Sequence, residues 1–487
     1  MTTELNEKPN KGESQTKDGA LERLFHLREN NTTKRVELFA GLTTFLSMAY
    51  ILAVNPSLLG QAGMPPSGVF VATVLAAFIG TAVMAFMANY PLVLAPGMGL
   101  NAYFAFSIVL GMGYSWQFAL FAVFLEGLIF IALTLARARE KVVDAIPQSL
   151  KIGVGSGIGV FLAYIGLQNA HIIVHSDSTL TTFLSFDSST IHTSGAAVIL
   201  AIIGIVLITV LSHKKIFGAL FWGMIGTWGF SVIAQLIGLY QPDPANGFYS
   251  VIPSFDLNAQ TQELKNGFKE VCFAAFNVNA WTGKGGETGW ELLFSINILL
   301  VLFALLFVDF FDTIGTVIAV ATKENMYDEK GKIPRIKSIL FADAFATACG
   351  GALGTSTTTT YIESYTGIAV GGRTGLTALT AAFLFLISLL FAPVFLALPS
   401  FVSGAALIYV GFLMITPLSK LNFDDVSEAA PAFIATIVIP LAYSISEGIA
   451  ISFILWTVIN LVSGQRQKIS PLMYVLSVLF AAKYFFI

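Results

Sequence analysis

Charged side chains are scarce in this chain. Asp, Glu, Lys and Arg make up 11% of its 487 residues, against about a quarter in soluble domains. That shortage excludes an ordinary water-soluble domain. Net charge is small as well, −3 at neutral pH, so charge balance points to neither nucleic acid nor an acidic ligand. There are two cysteines, Cys272 in a polar loop and Cys349 in an apolar segment, and they do not support a disulfide framework. The histidines His26, His171, His175, His192 and His213 all fall in the tail or in loops. No metal centre or histidine relay is visible among them. No P-loop, metalloprotease or nucleophile-elbow pattern stands at a workable place, and no cofactor is expected.

What the chain has is long apolar runs. Hydrophobic residues make up 55% and mean hydropathy is +0.77. A spanning helix needs about 20 mostly apolar residues. Segments of that kind are predicted over 36–55, 67–89, 91–110, 116–136, 149–168, 194–211 and 216–239, and again over 295–321, 337–353, 357–372, 375–398, 403–418, 428–445 and 447–463. The reading is an all-α polytopic membrane protein of fourteen segments. Residues 1–35 read as a polar disordered tail with no continuous apolar core, so no cleavable signal is expected there. Residues 241–291 read as a polar loop. The apolar end, 471–487, reads as either an interfacial helix or a further span.

Positive charge tests this layout, because Lys and Arg concentrate in cytoplasmic loops. With fourteen spans, all 26 of them fall on one face except Lys265, Lys269, Lys284 and the terminal Lys483. Both termini are therefore expected in the cytoplasm. Two sets of seven segments start on opposite sides, the pattern of an inverted repeat, 36–240 against 292–470. The third segment of each set is irregular. The first holds Pro96, Gly97 and Gly99, which disfavour a continuous helix. The second holds Thr357–Thr360, whose β-branched run favours extended backbone. Extended backbone in a membrane is tolerated only inside protein or against a water-filled cavity.

Acids within spans are costly and usually functional. Asp309, Asp312 and Thr316 follow one helical face. Glu363 lies in the second irregular segment and is read as functional, with capping of a half-helix as its alternative. Asn101 follows the first irregular segment and offers both donor and acceptor. Tyr50 and Asn55 could face the same cavity, Tyr50 with an interfacial belt as its alternative. Glu126 is expected to make a helix–helix bond or to have a partner that local sequence does not show, Asp343 to lie near the headgroups, and Glu447 to reach water. The close glycines of 153–159 read as tight helix packing.

Four ordered motifs, Gly41-Leu-Thr-Thr-Phe-Leu-Ser-Met-Ala-Tyr-Ile-Leu-Ala-Val-Asn-Pro56, Ala95-Pro-Gly-Met-Gly-Leu-Asn-Ala-Tyr103, Asp309-Phe-Phe-Asp-Thr-Ile-Gly-Thr316 and Thr357-Thr-Thr-Thr-Tyr-Ile-Glu-Ser364, resemble the AzgA-like purine permeases of the nucleobase–ascorbate transporter group. The resemblance implies a uracil-permease-like fold of seven-plus-seven inverted repeats. Spans 1–4 and 8–11 would form a core domain, and spans 5–7 and 12–14 a gate. It implies proton symport of a purine base (guanine, hypoxanthine or adenine) and often a homodimer, with no nucleic acid partner. Asp312 and Glu363 look like the acids that hydrogen-bond the base, beside Thr360 and Ile362. Asn101 and Asp309 match polar positions of purine-carrying members. Asp312, Asp309 and Glu363 are the proton-coupling candidates. Thr316 stands where uracil-type relatives have histidine, and Asp312 where they have glutamate. The rival readings are an anion transporter on the same fold, a membrane-embedded enzyme, and a receptor without flux.

Overall fold

The structure, a computed structural model, describes residues 20–136, 146–187, 190–244, 248–253, 257–294, 296–323 and 333–486. It is mostly helical. In chain order the first elements are α1 (Ala20–Phe25), α2 (Lys34–Met48), α3 (Ile51–Gln61), α4 (Pro66–Val83), strand β1 (Leu94–Pro96), α5 (Met98–Ala102) and α6 (Trp116–Leu135). Then come α7 (Gln148–Asn169), a hairpin of β2 (Ile173–Ser176) and β3 (Leu180–Phe183), α8 (Ala196–His213), α9 (Ala219–Leu236) and α10 (Leu257–Val271). The remainder is α11 (Ile296–Lys323), α12 (Ile336–Leu353), β4 (Thr358–Thr360), α13 (Ser364–Ala369), α14 (Gly375–Ile387), α15 (Ala392–Leu396), α16 (Ser400–Ile415), α17 (Val426–Leu441), α18 (Ile445–Val462) and α19 (Pro471–Phe486).

Among the described residues, ten helices are long and apolar enough to cross a membrane, and 98–111, 426–441 and 471–482 are shorter apolar helices. The chain is thus a multi-pass membrane protein. The expected fourteen segments are not fourteen continuous helices. The two irregular ones contain strands, and α11 carries two aspartates along its 28 residues. The first segment is also interrupted. Pro56 inside α3 has no N–H to offer the Leu52 carbonyl, and the chain turns at Ala49–Tyr50.

The helices pack in two groups. In one, α2 meets α14, α4 meets α12 and α14, and α6 meets α12. In the other, α7 runs along α16 and α17, and α8 along α9 and α16. Glycine makes the α7 contacts possible. A Cβ on Gly153 would stand 2.5 Å from the Ala432 carbonyl oxygen, and one on Gly159 2.8 Å from that of Gly411. The tight packing expected of 153–159 is what the chain adopts.

Three expectations change. The tail is ordered from residue 20 onward, with Phe25 buried and its carbonyl accepting from Asn89 Nδ2 at 3.0 Å; residues 1–19 lie outside the described ones. The polar loop holds the amphipathic helix α10, pressed so closely on α4 that a Cβ on Gly68 would sit 2.2 Å from the Gly267 carbonyl oxygen. The apolar end is one helix, α19, docked on α18 and α11. Phe480 stacks edge-on to Phe303 and Phe453, and the Thr457 and Ser477 hydroxyls lie 2.7 Å apart. Both cysteines are free.

Candidate functional site

The two irregular segments cross in the first helix group. β1 and β4 pair antiparallel, Leu94 with Thr360, Ala95 with Thr359 and Pro96 with Thr358. The ladder continues at both ends, Gly97 N donating to Thr357 O at 2.9 Å and Tyr361 N to Val93 O at 3.0 Å. Buried backbone must find partners, and here each break supplies the other's. Side chains complete the set. Thr81 Oγ1 both accepts from Leu94 N and donates to Leu94 O, while Ser364 Oγ accepts from Val93 N. Gly97 fits because a Cβ there would lie 2.7 Å from Thr359 Cγ2. Helix continues from both strands, as α5 and as α13.

Buried acids enclose β4. Glu126 of α6 accepts from Thr357 Oγ1 at 2.6 Å. Asp343 of α12 accepts from Thr313, Thr359 and Thr360 hydroxyls at 2.6, 3.4 and 3.3 Å. Asp309 of α11 accepts from Thr347 Oγ1 at 3.4 Å, and the same hydroxyl lies 3.1 Å from Thr358 O. Helices α11 and α12 therefore exchange bonds: a threonine of each serves the aspartate of the other. All three acids are fully buried. Their threonine donors offset part of the cost of a carboxyl in a low-dielectric interior.

This corrects the sequence reading at several residues. Asp343 is fully buried in protein and bonded to threonines of α11 and β4, not turned to an interface. Glu126 takes the second of its two alternatives, a partner on β4. Thr360 turns its hydroxyl to Asp343. Asp309 and Asp312 stand about 60° apart around α11 and part company: Asp309, with Thr313, turns toward α12, while Asp312 keeps partial exposure. Thr316 is buried. Asn101 is buried too, accepting from Ser356 Oγ across the breaks, with its Nδ2 3.5 Å from the Pro96 carbonyl oxygen. Acid–threonine pairs at i,i+4, Asp309/Thr313 and Asp343/Thr347, share a helix face and were the available signal for this network.

Asp312 and Glu363 are partly exposed, and Ile362, next to Glu363 in the chain, is 42% exposed. Glu363 makes no side-chain cap bond to α13. It accepts instead from Tyr50 Oη at 3.0 Å. Tyr50 is therefore not an interfacial aromatic. It is buried at the α2–α3 turn, and it reaches Glu363 because α13 lies against α2, where a Cβ on Gly367 would stand 2.6 Å from the Ala40 carbonyl oxygen. Asn55 braces the same region through Thr73 and Thr355 at 2.7 and 2.9 Å. Tyr361 donates from its hydroxyl to Pro96 O. A carboxyl pair beside a strand crossing can accept ring N–H groups of a flat heterocycle, and peptide groups at the crossing can meet its other edge.

Residues 35–451 match the model of a permease family. The chain belongs to this family. Among its relatives, the guanine/hypoxanthine permease PbuO of Bacillus subtilis is 40% identical over 95% of this chain and 100% of its own length. The adenine permease AdeP of Escherichia coli is 39% identical over 96% of this chain and 97% of its own. The transmembrane domain of the bicarbonate transporter BicA of a cyanobacterium superposes with a TM-score of 0.57 at 15% identity, covering 85% of this chain and 96% of that one; at that identity it shows the shared fold alone. The relatives are permeases, so this permease is a transporter and not an enzyme.

Proposed function

We propose that this permease imports purine nucleobases across the plasma membrane by proton symport. The observation that carries the reading is the pair Asp312 and Glu363, partly exposed beside the strand crossing. The purine names of the relatives over nearly the whole chain support the substrate class. The base inserts beside the crossing, with Asp312 and Glu363 accepting its ring N–H groups. Ile362 covers one face and backbone near Gly99 and Ile362 meets the opposite edge. Asp309, Asn101, Thr360 and Thr316 act from behind, holding the crossing in shape. The coupled proton enters with the base, at Asp312 or Glu363.

Access alternates as the two helix groups move against each other. One, α2–α6 with α11–α14, is the core that carries the site. The other, α7–α9 with α16–α18, is the gate against which it moves. The half-helices in corresponding places fit an inverted repeat of seven and seven, with both termini cytoplasmic. A homodimer is consistent with the family resemblance. Uptake of labelled hypoxanthine, guanine and adenine into vesicles tests the proposal. An inward proton gradient should drive accumulation, and sodium alone should not. Uptake of bicarbonate or sulfate in place of any purine would overturn it in favour of an anion carrier.

A further inference from the structure

The first break is touched from both helix groups. A Cβ on Gly97 would lie 3.5 Å from Asp312 Oδ2, so that carboxylate stands against the start of α5 from the core side. A Cβ on Gly99 would lie 2.7 Å from Ile158 Cγ2, 3.8 Å from its Cδ1 and 3.9 Å from its Cβ. Ile158 belongs to α7, a helix of the gate group, and is 3% exposed. Two residues of chain reach no more than about 7 Å. A core carboxylate and a gate side chain therefore flank the same turn of backbone.

Helix α7 continues along this half-helix. Phe161 follows Ile158 by three residues, on a neighbouring part of the same α7 face. Its ring centre is 6.0 Å from that of Phe106, edge-on, on the helical stretch Tyr103–Gly111 that extends α5. Phe106 in turn meets Tyr443 at 5.4 Å, in the turn between α17 and α18. Beside it Ser107 Oγ accepts from Ile445 N at 3.3 Å. Gate residues thus line the half-helix beyond the break, and at Gly99 the nearest of them is the branched side chain of Ile158. Glycine stands there because no Cβ fits between the two.

We infer that Ile158 is a specificity-determining residue: it forms the gate-side wall of the base site at Gly99 and limits the substituents a base can carry on its ring carbons. The inference rests on the purine reading above and names a side chain that selects among bases. Asp312 and Glu363 sense ring N–H groups. A methyl on C2 or C8 of hypoxanthine leaves those groups in place and tests only space. A β-branched side chain in a helix is held at χ1, so the wall is stiff. One methylene more or less in an apolar pocket shifts binding about 10–200-fold.

The test is competition of 2-methylhypoxanthine and 8-methylhypoxanthine against labelled hypoxanthine on the purified full chain. The parent should bind at least one methylated base about tenfold or more weakly than hypoxanthine. Ile158→Ala should narrow that gap about tenfold. If Ile158→Ala does not elute as a folded species, Ile158→Leu, which keeps the volume but takes the branch off Cβ, should narrow it about threefold. Gly99→Ala should act in the opposite sense, weakening hypoxanthine itself about tenfold, and Ile158→Ala in that background should restore it. A parent that binds all three bases alike, an unmoved ratio in folded Ile158 variants, or no rescue of Gly99→Ala would overturn the wall. Those outcomes leave hypoxanthine binding, and so the purine reading, standing. A parent that binds no hypoxanthine would strike the purine reading and this inference with it.

Discussion

Asp309, Asp343 and Glu126 are fully buried around the strand crossing, whereas Asp312 and Glu363 keep partial exposure beside it. The inner three are fully buried and are met by threonine hydroxyls or, for Asp309, by Thr347 bridging to the Thr358 carbonyl. The outer two are partly exposed, and Glu363 accepts from the Tyr50 hydroxyl on a neighbouring helix turn. The same chemical group thus takes two roles. Inside, a carboxylate organises a strand that has no sheet to join. Outside, it keeps acceptor capacity for something that arrives. An acid in a membrane segment is a functional candidate by default, yet its direction around the helix divides ligand from scaffold.

Substitutions can break this comparison. The largest expected effect on stability is at Asp343→Ala, which strands three threonine hydroxyls. It should cost about 3 kcal/mol or more, read as a fall in Tm and in folded yield, with uptake lost alongside. If Asp343→Ala folded normally, the inner acids would not be scaffold. Next come Asp312→Asn and Glu363→Gln. Each should cut purine uptake about a hundredfold, the equivalent of one or two charged hydrogen bonds, with Tm nearly unchanged. Tyr50→Phe should follow, raising the KM for purine up to about tenfold without altering Tm, because it frees Glu363 of its orienting donor. A fall in Tm with unchanged KM would make that contact merely structural. Thr347→Val should have the smallest effect, about 1 kcal/mol of stability, with transport close to normal. A large transport loss there would move Asp309 into the ligand site.

Much of this arrangement was legible from residue order, and the reason is physical. Pro96, Gly97, Gly99 and the run Thr357–Thr360 cannot continue a helix comfortably, so both breaks were marked locally. That the breaks pair with each other, Leu94 to Thr360 and onward, is a contact over more than 260 residues that no local pattern encodes. Helical periodicity placed Asp309 and Asp312 on one broad face but could not show that α12 covers only part of it. The place of Asp343 along its segment does not reveal that the threonines of β4 pass beside it. Tyr50 was undecided for a related reason: its partner is supplied by α13, brought close by Gly367 against α2.

The central claim is that the outer acids meet the base and the inner acids hold the crossing. Equilibrium binding of labelled hypoxanthine to purified Asp312→Asn and Asp309→Asn tests it most directly, each protein checked for a folded elution profile and Tm. The account predicts that folded Asp312→Asn loses binding about a hundredfold, while the folded fraction of Asp309→Asn binds within a few-fold of the parent. Hypoxanthine bound normally by Asp312→Asn, or lost from well-folded Asp309→Asn, would contradict it.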